Sequence, residues 1–444
     1  MARVATSGLA LLGGEPAVRV RDEGTFRWPI VTPEMEAAVL GVLRRGAMSD
    51  VDVTQQFEAE FAAWLGTRHA LAHNTGTAAL HAAMFAVGVG RGDEVICPSL
   101  TYWASCLPAY ALGAAVVFAD VEPDTLCLDP ADVARKVGPR TRAIVAVHYA
   151  AHPADMDPLM AIAERHGVKV IEDASHAHGA LYKGRMVGTF GHAAAFSLMS
   201  GKSMAIGEGG MLATDDRRIY ERAVLFGHYE RHGSLELDDL RAAAGLPWGG
   251  VKYRMHQLSS AVGRVQLRSY PAQMAEIDAA MNLFWDLLEG VPGVRAHRPP
   301  KGSGTTKGGW YAPAGHYRPE ELGGLSVGRF CEALRAEGFP ARPGVNRPLH
   351  LHPLFEDVDV YGDGRPTRWA FRDGGALADS LPVTEAVPGR TFGVPWFKKP
   401  NRAVIEQHAA AVRKVVDHHR ELLAGDQDAD VGGGTWGMST PTRS

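Results

Sequence analysis

The chain has 444 residues, of which 46% are hydrophobic and 22% are charged, so it has room for a large core and two domains. A net charge of -4 and an isoelectric point of about 6.6 argue against nucleic acid or an anionic membrane as the main partner. No apolar run reaches the ~18 residues of a transmembrane helix, and the N-terminus lacks the pattern of a signal peptide. The four cysteines (Cys97, Cys106, Cys127 and Cys331) form no CxxC pair, which favours a reduced, cytoplasmic protein.

Residues 1–30 are predicted to form an N-terminal arm, and regular structure begins at Thr32. The sequence Thr32-Pro-Glu predicts a helix start, because threonine can cap the helix and proline suits its first turn. Helical and strand-like segments then alternate. Helices are predicted at 75–86, 103–112 and 159–165, and strands at 93–97, 115–118, 142–147, 168–171, 193–198 and 210–213. The alternation predicts an α/β fold whose mixed, mostly parallel sheet is flanked by helices.

Further helical patterns occur at 258–267 and 275–289. The sequence therefore predicts a large domain over residues 31–271 and a smaller α+β domain over residues 272–425. Residues 426–444 are rich in Asp, Gly, Ser and Thr, and we predict that this tail is disordered.

Lys202 is the most informative single residue. It lies among small residues and glycines, and it is the only charged residue between His192 and Glu208. These neighbours favour a buried amine over a solvated lysine, and burial would lower its pKa. Asp173 ends the apolar run 168–173, and chemistry in such sheets gathers just beyond the carboxyl ends of the strands. A lysine that carries pyridoxal phosphate as a Schiff base, with a carboxylate that keeps the pyridine nitrogen protonated, fits this pair.

A candidate phosphate site precedes them. Residues 74–80 combine small residues and hydroxyls at the start of a predicted helix. Free N–H groups at a helix N-terminus favour a phosphate; Gly76 would allow close approach, and Thr77 would donate a hydrogen bond. Taken alone, an ordinary N-cap is the better interpretation of this segment. Ser197, five residues before Lys202, offers a hydroxyl that could hold the same phosphate.

Aromatic residues and histidines follow two of the predicted strands. Tyr102 and Trp103 could stack on a planar ring, although core packing explains each of them equally well. His176 and His178 come shortly after Asp173. Zinc binding is one interpretation of these histidines, but no further ligands have zinc-like spacing, and no metal site is predicted. We favour a hydrogen bond from His176 to the cofactor's phenolic oxygen and a structural role for His178.

The order of these motifs resembles that of the DegT-type sugar aminotransferases, which belong to the aspartate aminotransferase superfamily of pyridoxal phosphate enzymes (fold type I). The resemblance runs from about Gly13 to His418, and several motifs agree in order, so it is more specific than a single glycine loop. It is densest in the segments 74–80, 92–104, 113–120, 155–157, 170–179 and 196–210.

This resemblance implies pyridoxal 5'-phosphate as cofactor and assigns its contacts. Lys202 would hold the cofactor, and Asp173 would pair with the pyridine nitrogen. Tyr102 matches the stacking aromatic residue, and His176 matches the residue near the phenolic oxygen. The residues implied to hold the phosphate are Gly76, Thr77 and Ser197.

One position departs from the family's pattern. The family usually has Gly-x-Asn-x-Arg in a loop that reaches the cofactor phosphate of the partner subunit. Residues 250–254 are Gly-Val-Lys-Tyr-Arg, so Lys252 replaces the asparagine. A lysine can also meet a phosphate, but as a flexible point charge. The family acts as a homodimer with two sites at the interface, and we expect the same here.

Retention of Lys202 favours transamination, because relatives that act as sugar 3-dehydratases carry histidine there. The implied reaction moves an amino group from L-glutamate or L-glutamine to a nucleotide-linked keto-sugar or a keto-cyclitol, in sugar or antibiotic biosynthesis. Candidate segments for recognising the acceptor are 228–231, 347–352 and 396–399. Surface or dimer contacts explain these segments equally well.

Two other functions stay open. Dehydration and aromatisation of an amino-shikimate-type precursor would use the same lysine, so the sequence does not exclude it. A non-catalytic regulatory protein that binds pyridoxal phosphate would be expected to carry a recognition module, and the chain has no basic DNA-binding segment. A nicotinamide dehydrogenase is disfavoured, because no GxGxxG motif follows the first strand of the sheet.

Overall fold

The computed structural model describes residues 8–20, 22–353, 359, 362, 364 and 380–426. Residues 1–7 and 21 of the predicted arm, and all but the first residue of the predicted disordered tail 426–444, lie outside the described residues. Within this described part of the chain, no helix combines the length and the apolar character that crossing a membrane requires.

A seven-stranded sheet organises the larger part of the chain. In chain order its strands are β1 His69–His73, β2 Glu94–Pro98, β3 Ala115–Ala119, β4 Thr141–Val147, β5 Lys169–Asp173, β8 Ala193–Ser197 and β9 Gly210–Thr214, and a separate two-stranded ribbon contains β6 Leu181–Tyr182 and β7 Arg185–Met186. The strand order is β1-β9-β8-β5-β4-β2-β3. The pairs from β3 through to β8 are parallel, whereas β9 is antiparallel to β1 and β8. The predicted α/β architecture with a mixed, mostly parallel sheet is confirmed.

Helices surround this sheet and continue beyond it. Their bounds are Glu23–Phe26, Pro33–Arg44, Asp52–Leu65, Gly76–Ala86, Pro108–Ala111, Pro130–Lys136, Met156–His166, Arg217–Gly227, Asp238–Ala242, Gln257–Leu287, Val327–Ala336, Pro382–Ala386, Arg402–Asp417 and His419–Leu423. Thr32 caps the second of these helices, as predicted, because its side chain accepts a hydrogen bond from the backbone N–H of Met35.

Three predicted helices differ from the structure. Residues 103–112 form a 3-10 turn, Trp103–Ser105, and a short helix, Pro108–Ala111, rather than one helix. Pro108 lacks a backbone N–H and therefore begins a new helix instead of continuing an old one. The helices predicted at 258–267 and 275–289 are a single helix, Gln257–Leu287, which passes through Pro271.

The long helix connects two hydrophobic cores. Tyr270 belongs to the core around the large sheet, whereas Phe284 belongs to a second core beside a four-stranded antiparallel sheet. The strands of this second sheet are β10 Val294–Ala296, β11 Ala314–Tyr317, β12 Arg342–Pro343 and β13 Thr391–Gly393, in the order β10-β11-β13-β12. The predicted domain boundary between residues 271 and 272 stays a prediction.

The topology brings three chain segments to one edge of the large sheet. Strands β5 and β8 are parallel neighbours, so their last residues, Asp173 and Ser197, lie at the same edge. The helix Gly76–Ala86 begins against the end of β8, with Gly76 close to Ser197. The carboxyl edge of these strands is therefore the place to look for a binding site.

Candidate active site

Asp173 is held by hydroxyl and backbone donors at the end of β5. Ser105 Oγ donates to its carboxylate at 2.6 Å, and the backbone N–H of Ser175 donates at 3.1 Å. Thr101 Oγ1 lies 2.8 Å from Ser105 Oγ, which extends the chain of hydroxyls. These bonds fix the orientation of a buried carboxylate. The sequence analysis missed Ser105, Ser175 and Thr101, although Thr101 and Ser105 flank the aromatic pair that it selected.

Lys202 is a buried amine that faces an aromatic ring. Its side chain is 8% exposed, and its Nζ lies 4.0 Å from the ring centroid of Tyr311. Burial lowers the pKa of Lys202 from 10.5 to about 8, against the opposing attraction of Asp173. A larger fraction of this amine is therefore neutral near pH 8 than in a solvated lysine, which suits a nucleophile. Tyr311 is distant in sequence and carried no signal that could have identified it.

The start of the helix Gly76–Ala86 leaves two backbone donors without partners. Thr75 caps the helix by accepting from the N–H of Ala78 at 3.0 Å. The N–H groups of Gly76 and Thr77 form no hydrogen bond to any described residue. A Cβ atom on Gly76 would lie 2.7 Å from the Cβ of Ser197, so only glycine fits this close approach. Thr75 can therefore cap the helix while the N–H groups of Gly76 and Thr77 remain available to bind an anion.

The two candidate histidines have different surroundings. His176 packs against Tyr311 with ring centroids 4.5 Å apart, and its Nδ1 accepts from the N–H of Ala150 at 3.3 Å. Burial and the nearby Lys202 hold the pKa of His176 well below 6.5. His178 is fully buried, and its Nδ1 lies 3.2 Å from Ser203 Oγ, inside the protein.

Over the described ranges, no three His, Cys, Asp or Glu side chains gather so that they could hold a metal ion. His176 and His178 lie in different environments. His176 faces the same ring as Lys202, whereas His178 links segments of the core.

The two members of the aromatic pair after β2, Tyr102 and Trp103, differ in exposure. Tyr102 is 37% exposed, and its ring lies 4.8 Å from that of Trp103 at an interplanar angle of 39°. Trp103 packs against the core of the large sheet, in agreement with its core-packing interpretation. Tyr102 thus offers the more exposed ring at the edge where Asp173 and Lys202 lie.

Two tryptophans from opposite ends of the chain form a second wall of the site. Trp28 Nε1 donates to the backbone oxygen of Lys202 at 2.8 Å. Trp396 Nε1 donates to the backbone oxygen of Gly309 at 3.1 Å, and its ring meets Tyr311 edge-on with centroids 5.7 Å apart. The sequence analysis selected Trp396 only as part of a recognition segment and did not select Trp28.

The other candidate recognition segments differ in position. His350, in the segment 347–352, bonds to Ser99 at 2.7 Å and thus lies near the end of β2. In the segment 228–231, Arg231 forms a buried ion pair with Glu58 at 2.8 Å, which ties part of that segment to the core.

Lys252 lies apart from the residues around Lys202. It is exposed, and its Nζ is 5.6 Å from the ring centroid of Tyr229. The next residue, Tyr253, anchors this loop, because its backbone oxygen accepts from Asn74 N at 2.7 Å and its hydroxyl bonds to His81 at 2.8 Å. The loop is therefore attached beside the start of the helix Gly76–Ala86, with Lys252 at the surface.

The residues at the sheet edge fit pyridoxal phosphate. The two unpartnered N–H groups at Gly76 and Thr77 suit its phosphate, and the buried, partly neutral amine of Lys202 suits its aldehyde. The oriented carboxylate of Asp173 suits a protonated ring nitrogen. Each group is supplied by a different segment, and the sheet topology brings the segments together.

Comparison with known proteins gives a consistent result. Residues 29–391 match the family described as the DegT/DnrJ/EryC1/StrS aminotransferase family. The chain is 35% identical over 434 residues to the L-glutamine:2-deoxy-scyllo-inosose aminotransferase of Micromonospora echinospora, covering 93% of this chain and 99% of that protein. It is 33% identical over 397 residues to the spore coat polysaccharide biosynthesis protein SpsC of Bacillus subtilis (strain 168), covering 88% of this chain and 96% of that one.

A solved structure shows the same overall arrangement. The crystal structure of 3-amino-5-hydroxybenzoic acid synthase superimposes with a TM-score of 0.73 at 30% sequence identity. The superposition covers 91% of this chain and 100% of that one. The likeness therefore extends over both sheets and is not confined to the segments around Lys202.

Proposed function

Because this chain belongs to the DegT/DnrJ/EryC1/StrS aminotransferase family, we propose that it transfers an amino group from L-glutamine to the ketone of a cyclitol or a nucleotide-linked sugar. The observation that carries the proposal is the buried amine of Lys202, whose pKa is lowered to about 8 on the same sheet edge as the oriented carboxylate of Asp173. L-Glutamine is the named donor of the relative from Micromonospora echinospora, and L-glutamate is the alternative donor.

When bound, pyridoxal phosphate supplies an aldehyde that condenses with amines and a ring that accepts electrons. Lys202 Nζ would hold the cofactor between reactions. Once the donor has displaced it, Nζ would take a proton from the donor's α-carbon and pass it to the cofactor. Its lowered pKa leaves Nζ partly neutral and able to accept that proton. Asp173 keeps a proton on the ring nitrogen.

Other side chains orient the cofactor. The N–H groups of Gly76 and Thr77, together with the hydroxyl of Ser197, hold its phosphate at the helix start. The ring of Tyr102 would cover one face of the cofactor ring, and His176 would bond to its phenolic oxygen. The aromatic wall of Trp28, Trp396 and Tyr311 limits the access of water to Lys202.

We further propose that two copies of the chain form a homodimer in the cytoplasm, with Lys252 reaching the phosphate bound by the partner. Large apolar side chains are exposed in the same region: Leu246 is 82% exposed, Tyr229 44% and Trp248 40%. Their burial in a dimer would remove this apolar surface from water. The cytoplasmic location rests on the four cysteines, all of which are free thiols.

A second candidate function is favoured by the likeness to 3-amino-5-hydroxybenzoic acid synthase. That protein's name describes an aromatic amino acid as product, and the same lysine could serve dehydration and aromatisation. The two functions differ in product mass, because transamination replaces a ketone oxygen by an amine without loss of further water.

The test combines absorption spectroscopy with mass spectrometry of the products. The purified protein is saturated with pyridoxal phosphate, and its visible band is followed as L-glutamine or L-glutamate is added. We expect the band to fade with L-glutamine and to return when 2-deoxy-scyllo-inosose or a nucleotide-linked keto-sugar is added, with formation of the amine. A band that no amino acid changes would argue against transamination, and a dehydrated, aromatic product would establish the second candidate.

A further inference from the structure

Tyr311 contacts Lys202 directly, and the mechanism above uses its ring only to exclude water. Lys202 Nζ lies over this ring, 4.0 Å from its centroid. The face of an aromatic ring carries partial negative charge, so it attracts an ammonium group much more strongly than a neutral amine. The contact therefore distinguishes the two charge states through which a lysine passes when it moves a proton.

The segment that carries Tyr311 packs closely against the segment that carries Lys202. A Cβ atom on Gly309 would lie 2.4 Å from the Cβ of Ser203, so only glycine allows the two segments to approach this closely. The backbone oxygen of Gly309 also accepts a hydrogen bond from the indole of Trp396 at 3.1 Å. The ring of Tyr311 is therefore presented to Lys202 from a fixed backbone, as precise positioning requires.

Both neighbours of Tyr311 have a strained backbone. Trp310 has φ 52° and Ala312 has φ 50°, in the left-handed region that residues other than glycine rarely adopt. Trp310 is buried, and its Nε1 donates to a carboxylate oxygen of Asp278 at 2.7 Å, so packing and a hydrogen bond maintain this conformation. Strained backbone of this kind clusters at functional sites, where the surrounding structure stabilises it.

Burial strengthens the contact between Lys202 and Tyr311. Lys202 is buried, whereas Lys252, which lies 5.6 Å from the ring centroid of Tyr229, is exposed. A cation over an aromatic face gains more when water is excluded. Asp173 also attracts the ammonium form of Lys202, but in the proposed mechanism that carboxylate pairs with the ring nitrogen of the cofactor. Tyr311 is then the group nearest to a positive charge that forms at Nζ.

The position of His176 relates the ring of Tyr311 to the cofactor. The two rings pack with centroids 4.5 Å apart, so Tyr311 contacts both Lys202 and His176. In the proposed mode of binding, Lys202 would meet the aldehyde carbon and His176 the phenolic oxygen. These two groups are attached to adjacent ring atoms of pyridoxal phosphate, so Tyr311 would lie beside the edge at which protons are moved.

We propose that the ring face of Tyr311 positions the amine of Lys202 during the reaction and stabilises its ammonium form as that amine takes a proton from the donor. This inference rests on the transaminase function proposed above. In that step the C–H bond at the donor's α-carbon breaks, its electron pair passes into the cofactor ring, and the proton forms a new N–H bond at Nζ. Because Nζ becomes positively charged, an interaction that is stronger with the charged form lowers the barrier.

The experiment compares Tyr311→Phe, which keeps the ring face, with Tyr311→Leu, which still excludes water but lacks that face. The matched control is Tyr220→Leu, because Tyr220 is also partly buried and its ring stacks on His69, at the start of β1 and far from the helix Gly76–Ala86. Each protein is saturated with pyridoxal phosphate and mixed rapidly with L-glutamine or with L-glutamine deuterated at the α-carbon. The fading of the cofactor band gives the rate, the apparent Kd and the isotope effect.

We expect Tyr311→Leu to slow the fading by about 5-fold to 30-fold, because a buried cation–π contact is lost. The apparent Kd for L-glutamine should stay close to that of the wild type, and the isotope effect should increase, because the proton transfer itself becomes slower. Tyr311→Phe and Tyr220→Leu should react at rates within about 2-fold of the wild type.

A second measurement uses the cofactor-free protein. The rate at which Lys202 is acetylated by acetic anhydride, followed by mass spectrometry as a function of pH, reports its pKa. Loss of the aromatic face should lower this pKa in Tyr311→Leu below the wild-type value of about 8, whereas Tyr311→Phe should retain that value. The other titratable groups that face Lys202, namely Asp173, His176 and His178, are the same in all of these proteins.

The outcomes separate this inference from the proposed function. If the wild type responds to no amino acid, the transaminase proposal fails, whereas the acetylation measurement still tests the contact. If the wild type responds and Tyr311→Leu has the wild-type rate and isotope effect, the function stands and the inference is overturned. Equal losses in Tyr311→Phe and Tyr311→Leu would also overturn it, since they would assign the role to the hydroxyl. A raised pKa of Lys202 in Tyr311→Leu would do the same, because the ring would then act by excluding water.

Thermal unfolding shows whether each variant is folded. If Tyr311→Leu has a Tm well below that of the wild type, Tyr311→Met provides the same test, because its flexible side chain fills irregular space without an aromatic face.

Discussion

The sheet edge and the aromatic wall of the candidate site differ in how many hydrogen bonds their buried charged groups form. On the sheet edge, Asp173 receives hydrogen bonds from Ser105 and from the backbone of Ser175. On the aromatic wall, Lys398 Nζ faces Trp28 and Trp396, and it donates no hydrogen bond to any described residue. A charge that faces a permanently bound cofactor can be oriented by the protein itself. A buried ammonium group that donates no hydrogen bond is costly to charge, and the cost appears as the lowered pKa of Lys398.

This comparison implies that changes on the sheet edge should affect cofactor chemistry, whereas a change at Lys398 should affect stability and its dependence on pH. Gly76 belongs to the sheet edge, because Ser197 packs so closely against the helix start that only glycine fits there. Changes at Lys398 should leave the cofactor band intact. The following predictions test this division, beginning with the strongest effect.

Substitution of Lys202 by alanine should abolish the reaction. The variant loses the amine that holds the cofactor and moves the proton, so we expect turnover to fall by more than about 10³-fold. The visible band of the bound cofactor should shift, because its link to the protein is gone. Lys301→Ala, which removes an exposed lysine paired with Asp286, is the control and should keep both the band and the activity.

Asp173→Asn should lose most of the activity while the protein still folds. The amide keeps the size of the carboxylate but cannot stabilise a protonated ring nitrogen, so turnover should fall by about 10²-fold to 10³-fold. Thermal unfolding should show a Tm close to that of the wild type. Asp157→Asn, at an exposed carboxylate paired with Lys183, serves as the control. Near-normal turnover in Asp173→Asn would contradict the assigned role.

Gly76→Ala should weaken cofactor binding by about 10-fold or more. A Cβ atom would lie 2.7 Å from the Cβ of Ser197, and overpacking of this kind costs about 1–3 kcal/mol. The measurement is a titration of the cofactor-free protein with pyridoxal phosphate. Gly41→Ala is the control, because a Cβ there meets no atom within 4 Å and the position is inside the helix Pro33–Arg44. That variant should bind the cofactor normally and gain about 0.5–1 kcal/mol of stability.

The sequence predicts the sheet edge better than the aromatic wall for a physical reason. Asp173 and Ser197 end apolar runs, and strand ends in a parallel sheet meet at one edge, so a local pattern is enough to place them. The wall joins Trp28, Tyr311 and Trp396, which lie far apart in the sequence and have no common local pattern. Their association depends on how the second sheet packs on the first, and single-sequence patterns do not carry that information.

The same limit explains the errors in local structure. The apolar spacing of residues 103–112 predicts a helix, but Pro108 begins a separate one. Pro271, in contrast, predicts a helix break, yet the helix Gln257–Leu287 continues through it. Packing of this helix against both hydrophobic cores offsets the hydrogen bond lost at the proline. Ser105 was missed because serine carries no pattern of its own, and only the fold brings it to Asp173.

The smallest expected effect is a change in how the free energy of unfolding depends on pH, and it arises from Lys398 on the aromatic wall. The pKa of Lys398 is about 5 in the folded protein and 10.5 as the ordinary value, so the unfolded chain holds more protons at this position between these pH values. The wild-type free energy of unfolding therefore carries a penalty that is absent above about pH 10.5 and grows as the pH falls toward 5. Lys398→Met removes the penalty and should raise the free energy of unfolding by about 1–3 kcal/mol near pH 7.

Urea unfolding of the two proteins at pH 6, 8 and 10 provides the measurement. The stability gained by Lys398→Met should be largest at pH 6 and smallest at pH 10, whereas Lys399→Met should show no such trend. A loss of stability at every pH would mean that the ammonium group is satisfied in the folded protein, and the contrast between the two walls would not hold.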